Sequence, residues 1–323
     1  MKKTIKIALI ILFAILFITC ILLYVSQKSS KTENITSIDN INNNAINKET
    51  IKNNTNISPT NTPGKTKKSP VYNIINASGN TLQTRINPPK GYKRTNAKKG
   101  SFTEFLRNYK MKKDGKPVLL YDKSQKSNQS AHVAVFKLPI ENEDLQQCAD
   151  SIMRVYAEYF WHTGQKDRIK FHFVDGFLAE YSKWRAGNRI QISDNSTYWV
   201  NSAQADNSYE SLKKYMRMVF AYSGTLSMEN ESKKINLRQL RPGDIFINGG
   251  SPGHVVMVVD LCKNKNGNKA FLLAQGYMPA QEFHVLKNPL HNDDPWYYEK
   301  EVTYPFNTPE YTFNKGSLRR LKY

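Results

Sequence analysis

The chain has 323 residues, with 47 Lys/Arg against 27 Asp/Glu for a formal net charge of +20, and only three cysteines. So few cysteines exclude a disulfide-stapled scaffold, and without a C-x-x-C pair or a His/Cys cluster at zinc spacing no metal or other cofactor is expected. The positive excess is +8 over residues 1–85 and +12 over the remainder, so it is spread along the chain; no basic-aromatic pattern of a nucleic-acid module stands out.

Lys2, Lys3 and Lys6 precede an uncharged apolar run over residues 7–25. At the helical rise this run spans about 28 Å, close to the hydrocarbon thickness of a bilayer. The run continues past the length of a cleaved signal's apolar core, so residues 1–25 are expected to be an uncleaved transmembrane signal-anchor. The lysines should stay cytoplasmic, which sends the rest of the chain to the extracytoplasmic side. Cys20 reads as membrane-embedded rather than acylated, because Phe17-Ile18-Thr19 lacks the small residue usual before a lipidated cysteine.

Residues 26–80 are rich in Asn, Thr, Ser and Lys, with too few large apolar side chains to offset ordering entropy. A disordered linker is expected there. All four Trp lie beyond it, and residues 81–323 suffice for a single globular domain without internal repeats.

Within that domain, Asn142-Glu143-Asp144 predicts the start of a helix reaching His162, with Leu145, Cys148, Ile152, Val155, Tyr156 and Tyr159 at three-to-four spacing. A second helix is predicted over 209–222, with Asn207 as N-cap and Leu212, Tyr215, Met216, Val219 and Phe220 as its stripe. Strands are predicted near 133–138, 169–173, 245–248, 255–259 and 270–274. Interleaved helices and hairpins predict an α+β domain with a mostly antiparallel sheet.

Cys148 is the first chemical candidate. A cysteine near a helix N-terminus gains thiolate character from the dipole, and a thiolate with an imidazole beside it is a nucleophile. The same residue shares a face with Leu145 and Ile152, which is equally the pattern of a packed core thiol. His254 begins the apolar run Val255-Val256-Met257-Val258-Val259 after the Gly249-Gly250-Ser251-Pro252-Gly253 loop, where a ring is both fixed and reachable. His132, also at a strand start, ranks second as a base. Centring a hairpin turn between Lys265 and Asn266 places Val256 opposite Gln275, so His254 and Gln275 share one face. Gln275 could then orient the imidazole, although a one-residue slip would separate them.

The segments Gly100-Ser101-Phe102, Asp144-Leu145-Gln146-Gln147-Cys148-Ala149-Asp150, Tyr222-Ser223-Gly224-Thr225-Leu226-Ser227, Leu273-Ala274-Gln275-Gly276-Tyr277 and Thr308-Pro309-Glu310-Tyr311-Thr312-Phe313 resemble the bacterial domain-of-unknown-function 4846 family. Cys148-Ala149-Asp150-Ser151-Ile152, with Arg241-Pro242-Gly243-Asp244-Ile245-Phe246 and Gly253-His254-Val255-Val256-Met257-Val258, is similar to papain-like cell-wall cysteine hydrolases of the NlpC and CHAP types. That second resemblance implies a papain-like fold with Cys148 as nucleophile, His254 as base and Gln275 as orienting residue. An insertion holding the second helix would separate the cysteine from the histidine. The Gln146 or Gln147 side chain, or the Cys148 amide, would stabilise an oxyanion. The expected function is a membrane-anchored cysteine peptidase or amidase acting on cell-wall peptides. The alternative is a non-catalytic module binding peptidoglycan, an anionic wall polymer or a protein partner. No nucleic-acid partner is expected, and nothing in the sequence specifies the oligomeric state.

Overall fold

The computed structural model describes residues 72–194 and 196–323. The anchor at 1–25 and residues 26–71 of the linker lie outside the described residues. Among those described, no helix is long and apolar enough to cross a membrane. Ile74 and Ile75, in the stretch read as the end of the linker, pack against the core. Ile75 bridges Ile86, and Asn87 N–H donates to the Ile74 carbonyl at 2.7 Å.

The first elements are α1 (Leu82–Arg85), β1 (Tyr92–Arg94), α2 (Phe102–Asn108), β2 (His132–Val135) and α3 (Cys148–His162). A middle section follows with the hairpins β3 (Lys170–His172)/β4 (Leu178–Glu180) and β5 (Asn188–Ser193)/β6 (Ser196–Asn201), and with α4 (Tyr181–Arg185) between them. Next come α5 (Tyr209–Tyr222), α6 (Thr225–Asn230), β7 (Ser232–Lys234), β8 (Asp244–Asn248), β9 (His254–Asn264), β10 (Lys269–Gln275) and β11 (His284–Leu286). The last are β12 (Tyr297–Tyr298), β13 (Phe306–Asn307), β14 (Thr312–Phe313) and β15 (Leu318–Leu321).

The organising sheet runs β2-β11-β10-β9-β8-β15-β7, with β1 joined to β9 and β12 joined to β10. Its pairings are antiparallel, as a chain of short hairpins requires. Helices and strands therefore form the α+β architecture with a mostly antiparallel sheet that the sequence predicts.

The sheet is buried on both faces, which explains why β9 reads as a continuous apolar run rather than an alternating one. Val255 and Met257 join Ile152, Met153 and Phe160 of α3 and the stripe of α5 in one core. Val256 and Val258 join Phe246, Phe271, Phe306 and Phe313 in a second core on the opposite face. Each such aliphatic side chain, once buried, contributes roughly 1.5–3 kcal/mol. α5 spans the predicted residues, but its N-cap is Ser208 rather than Asn207: Ser208 Oγ accepts the Ser211 N–H at 3.1 Å.

Candidate active site

α3 begins at Cys148, not at 142–144 as the local pattern suggests. Gln147 takes an extended conformation, φ −86° and ψ −150°, and its N–H donates to Asp150 Oδ2 at 3.1 Å. Asp144, the expected helix opener, is engaged elsewhere. Its Oδ1 accepts from the Ala280 N–H at 2.6 Å and from Gln147 Nε2 at 3.0 Å, tying the approach to α3 onto the loop after β10. The consequence is chemical. Cys148 occupies the first helical position, where N–H groups lack intrahelical partners and the dipole is strongest.

The thiol itself is 7% exposed. Burial pushes its pKa up, to about 12, and Asp150 adds to the rise, while the N–H groups of Ala149, Cys148 and Val255 act in the opposite direction. Burial also raises Asp150 well above the usual carboxylate range. The Gln146 and Gln147 amides, both candidates for an oxyanion site, are occupied: Gln146 Nε2 donates to the Pro139 carbonyl at 3.1 Å and Gln147 Nε2 to Asp144. The Cys148 N–H has no hydrogen-bond acceptor among the described residues other than its own sulfur, so it is the donor left for an oxyanion.

β10 leaves the sheet flush against this helix start. A Cβ at Gly276 would lie 2.2 Å from Ser151 Oγ and 3.0 Å from the Gln147 carbonyl oxygen. Only a glycine lets the strand pass so close to the first turn of α3.

His254 and Gln275 are brought together: His254 Nε2 lies 2.8 Å from Gln275 Oε1. The register behind this pair combines two departures from the predicted hairpin. Near the turn the pairs run from Lys269↔Lys263 to Leu272↔Asp260, one step off a turn centred between Lys265 and Asn266. The turn takes that form because Gly267, at φ +80°, donates to the Asn264 carbonyl and Asn264 N–H reaches the Asn268 carbonyl. A bulge between Leu272 and Leu273 then restores Leu273↔Val258 and Ala274↔Met257. Continued outward, that pairing puts Val256 level with Gln275, as predicted.

The pair is held from behind. Gln275 Nε2 donates to Glu310 Oε2 at 2.8 Å and lies 3.5 Å from His284 Nε2. Glu310 is in turn bound by Lys126 Nζ at 2.5 Å and by Asn128 Nδ2 at 3.1 Å. A carboxylate only accepts, so it fixes which end of the Gln275 amide faces outward, and Oε1 must face His254. His254 then carries its proton on Nε2, leaving Nδ1 as a bare acceptor. Nδ1 has no hydrogen-bond partner among the described residues. Tyr277 and Tyr311 flank the ring with centroids 4.7 and 5.0 Å away. At 2% exposure burial lowers the His254 pKa to about 4; the Gln275 bond opposes this and Lys126 adds to it. The resting pair is therefore a neutral thiol and a neutral imidazole.

Among the described residues no hydrogen bond joins the Cys148 sulfur to His254. The Val255 N–H, adjacent in sequence to His254, is one of the groups that oppose the rise of the Cys148 pKa. His132 belongs to neither side. It lies on β2, two strands from β10, with Nε2 at 3.3 Å from the Lys116 carbonyl and its ring 6.0 Å from His284. Cys262, the other described cysteine, is free and buried, and its sulfur donates to the Ala270 carbonyl at 3.5 Å. Sequence reasoning singled out neither Glu310 nor Lys126, and it reads His284 as a lone surface or hydrogen-bonded histidine; its Nδ1 lies 2.8 Å from the Glu282 carbonyl. Only Glu310 carried a signal, through the segment 308–313.

No cluster of three or more His, Cys, Asp or Glu able to hold a metal occurs among the described residues. Neither a comparison with curated proteins nor one with solved structures returned a match. A family model described as a domain of unknown function (4846) matches residues 82–320, and the chain belongs to that family.

Proposed function

We propose that this domain is a cysteine hydrolase of peptide or amide bonds, held near the cell wall by an N-terminal membrane anchor. The carrying observation is the chain His254–Gln275–Glu310–Lys126. It fixes the imidazole with Nδ1 unoccupied, in the residue before Val255, whose N–H opposes the rise of the Cys148 pKa. The base–orienter pair His254–Gln275 supports this reading, as does the similarity of the Cys148 and His254 segments to papain-like hydrolases.

In the first step the Cys148 proton passes to His254 Nδ1 and the thiolate attacks the substrate carbonyl carbon. The carbonyl oxygen takes the electron pair, and the Cys148 amide at the helix start stabilises it. The tetrahedral adduct collapses, and His254 gives the proton to the departing amine. Water, deprotonated by the same nitrogen, then attacks the thioester carbonyl; the carboxylic acid is released, and the departing Cys148 sulfur takes the proton back from His254. Gln275 Oε1 stabilises the imidazolium through Nε2–H, while Glu310 prevents the amide from turning. Because burial disfavours both charged forms, the ion pair has to form as substrate brings its own dipoles to the site.

The test is incubation of the full-length protein with purified peptidoglycan, reading released peptides by mass spectrometry. Cleavage that is lost in both Cys148→Ala and His254→Ala supports the reading; cleavage that persists in Cys148→Ala overturns it. A second reading, a non-catalytic binding module, is favoured by the 7% exposure of Cys148 and the lack of a thiol–imidazole hydrogen bond. It predicts a thiol inert to iodoacetamide until the protein is denatured.

A further inference from the structure

The end of β9 far from His254, where β1 joins it, gathers positive charge without balance. Residues 81–103 hold six Lys/Arg and no Asp/Glu, and no acidic residue lies between Asp260 and Glu282. The β1–β9 pairing brings the two stretches together and sets Lys93 directly opposite Lys263. Opposed positions of an antiparallel pair carry their Cβ atoms on one face about 5 Å apart, and like charges there are destabilising.

Both lysines line a cleft of 540 Å³, with Arg94, Lys265, Asn96 and Asn264 around them. Its lining holds four cations and no carboxylate. Arg94 is already committed: its Nε donates to the buried Asp260 Oδ2 at 2.6 Å, and Arg107 Nε takes Oδ1 at 2.7 Å. Two guanidiniums share that one carboxylate, which leaves no negative charge over for the lysines. Lys93, Lys263 and Lys265 are exposed, and their ammonium groups have no ion-pair or hydrogen-bond partner among the described residues. The Asn96 side chain has none either.

An all-cation lining selects an anion, and the kind of cation narrows it. A planar carboxylate is best matched by the guanidinium fork, and the cleft's one arginine is taken by Asp260. Its free donors are separate ammonium groups, which suit a phosphate whose non-bridging oxygens diverge, one toward Lys93 and one toward Lys263. Lys265, past the end of β9, meets the next charge along a chain. No aromatic ring lines the cleft, so a nucleobase would find no stacking platform. The Asn96 amide offers a donor and an acceptor to hydroxyl groups instead. We propose that this cleft binds a polyol phosphate chain, a polymer of hydroxylated units joined by phosphodiesters. His254 begins β9 and the cleft lies at its Asn264 end, about 30 Å away at the strand rise, so the proposal does not rest on the hydrolase reading.

Isothermal titration calorimetry of the full-length protein in detergent with poly(glycerol phosphate) tests it. Affinity should fall as salt rises, and Lys93→Gln and Lys263→Gln should each reduce the logarithmic salt slope by about 1. The double variant Lys93→Gln/Lys263→Gln should bind at least about tenfold more weakly. Its melting temperature should not drop, because neither side chain has a partner to lose. Lys315→Gln/Lys322→Gln removes the same charge from exposed positions elsewhere and should bind as the parent does. Glycerol 3-phosphate, oligo(dT) and polyglutamate should each bind at least about tenfold more weakly than the polymer. Equal losses in the two double variants overturn the proposal, since overall charge and not the cleft would then hold the polymer. Tight binding of the monomer overturns it in favour of a single headgroup or free phosphate. DNA or polyglutamate binding as tightly as the polymer, or no heat with any probe, also overturns it.

Discussion

The two sides of the candidate active site are built by opposite means. On the imidazole side each polar atom behind the ring has a named partner, running from His254 through Gln275 and Glu310 to Lys126 and Asn128. On the thiol side no side-chain hydrogen bond holds Cys148 among the described residues: backbone N–H groups favour its thiolate, Asp150 opposes it, and packing sets its position. A side-chain network of this kind specifies tautomer and orientation, and it costs heavily when broken. Helix packing specifies position but leaves the protonation state to whatever arrives. Under the proposed hydrolase reading, the difference means that the base is prepared in advance, whereas the nucleophile waits for substrate.

The largest effect should come from removing the waiting partner. Cys148→Ala is expected to lower peptidoglycan cleavage by at least about 10³-fold, with no loss of folding, since alanine fits a site already packed with apolar neighbours. Product release followed by mass spectrometry, beside thermal unfolding, separates the two. A variant that cleaves normally would reduce the thiol side to core packing.

Loosening the prepared side should cost less. Glu310→Gln keeps size and polarity, yet it allows the Gln275 amide to turn. Its NH₂ would then face His254, Nε2 would become the acceptor, and Nδ1 would hold the proton that blocks catalysis. A drop of about 10–100-fold, typical for an orienting partner, is expected. ¹⁵N chemical shifts of the His254 ring report the tautomer directly. An unchanged tautomer accompanying the loss would remove Glu310 from the relay.

The contrast also explains what could be read from the chain. The antiparallel sheet and α5 were legible because short apolar runs alternate with turn signals and α5 carries a 3.6-residue stripe. The position of Cys148 was misread, since the Asp144 carboxylate looks like a local cap yet bonds to Ala280, a residue far along the chain. The register of β9 and β10 came out as predicted at Gln275 only because a bulge cancels the one-step offset of the turn, which hydrophobic patterning does not encode. Glu310 and Lys126 were invisible as a pair, because 184 residues separate them and neither belongs to a periodic pattern.

Acid should weaken the prepared side first. Burial holds His254 at about 4 and His284 at about 3, both below the unfolded value of 6.5. Below pH 6.5 the unfolded chain therefore binds protons that the folded imidazoles refuse, and stability falls as pH falls through this window; above it these groups contribute no slope. Between pH 6.5 and 5 the two rings together should remove on the order of 3 kcal/mol. Urea unfolding at several pH values measures this, and His284→Asn should roughly halve the slope. A flat profile would place both rings in contact with water.

The smallest change, a single methyl group, should separate the two sides. In Gly276→Ala the new Cβ would meet Ser151 Oγ at 2.2 Å and the Gln147 carbonyl at 3.0 Å. Ser151 can turn its hydroxyl away, but its Cβ at 2.9 Å and the Gln147 carbonyl are fixed to the first turn of α3, so relief requires the start of α3 to move off β10. Overpacking of this kind costs about 1–3 kcal/mol. Because only packing holds the thiol, Cys148 should shift with its helix and its iodoacetamide rate should change. His254, anchored through Gln275 and Glu310, should keep its ring shifts. Movement of both signals together would mean that the two sides form one rigid unit, and the division between a prepared base and a waiting nucleophile would fail.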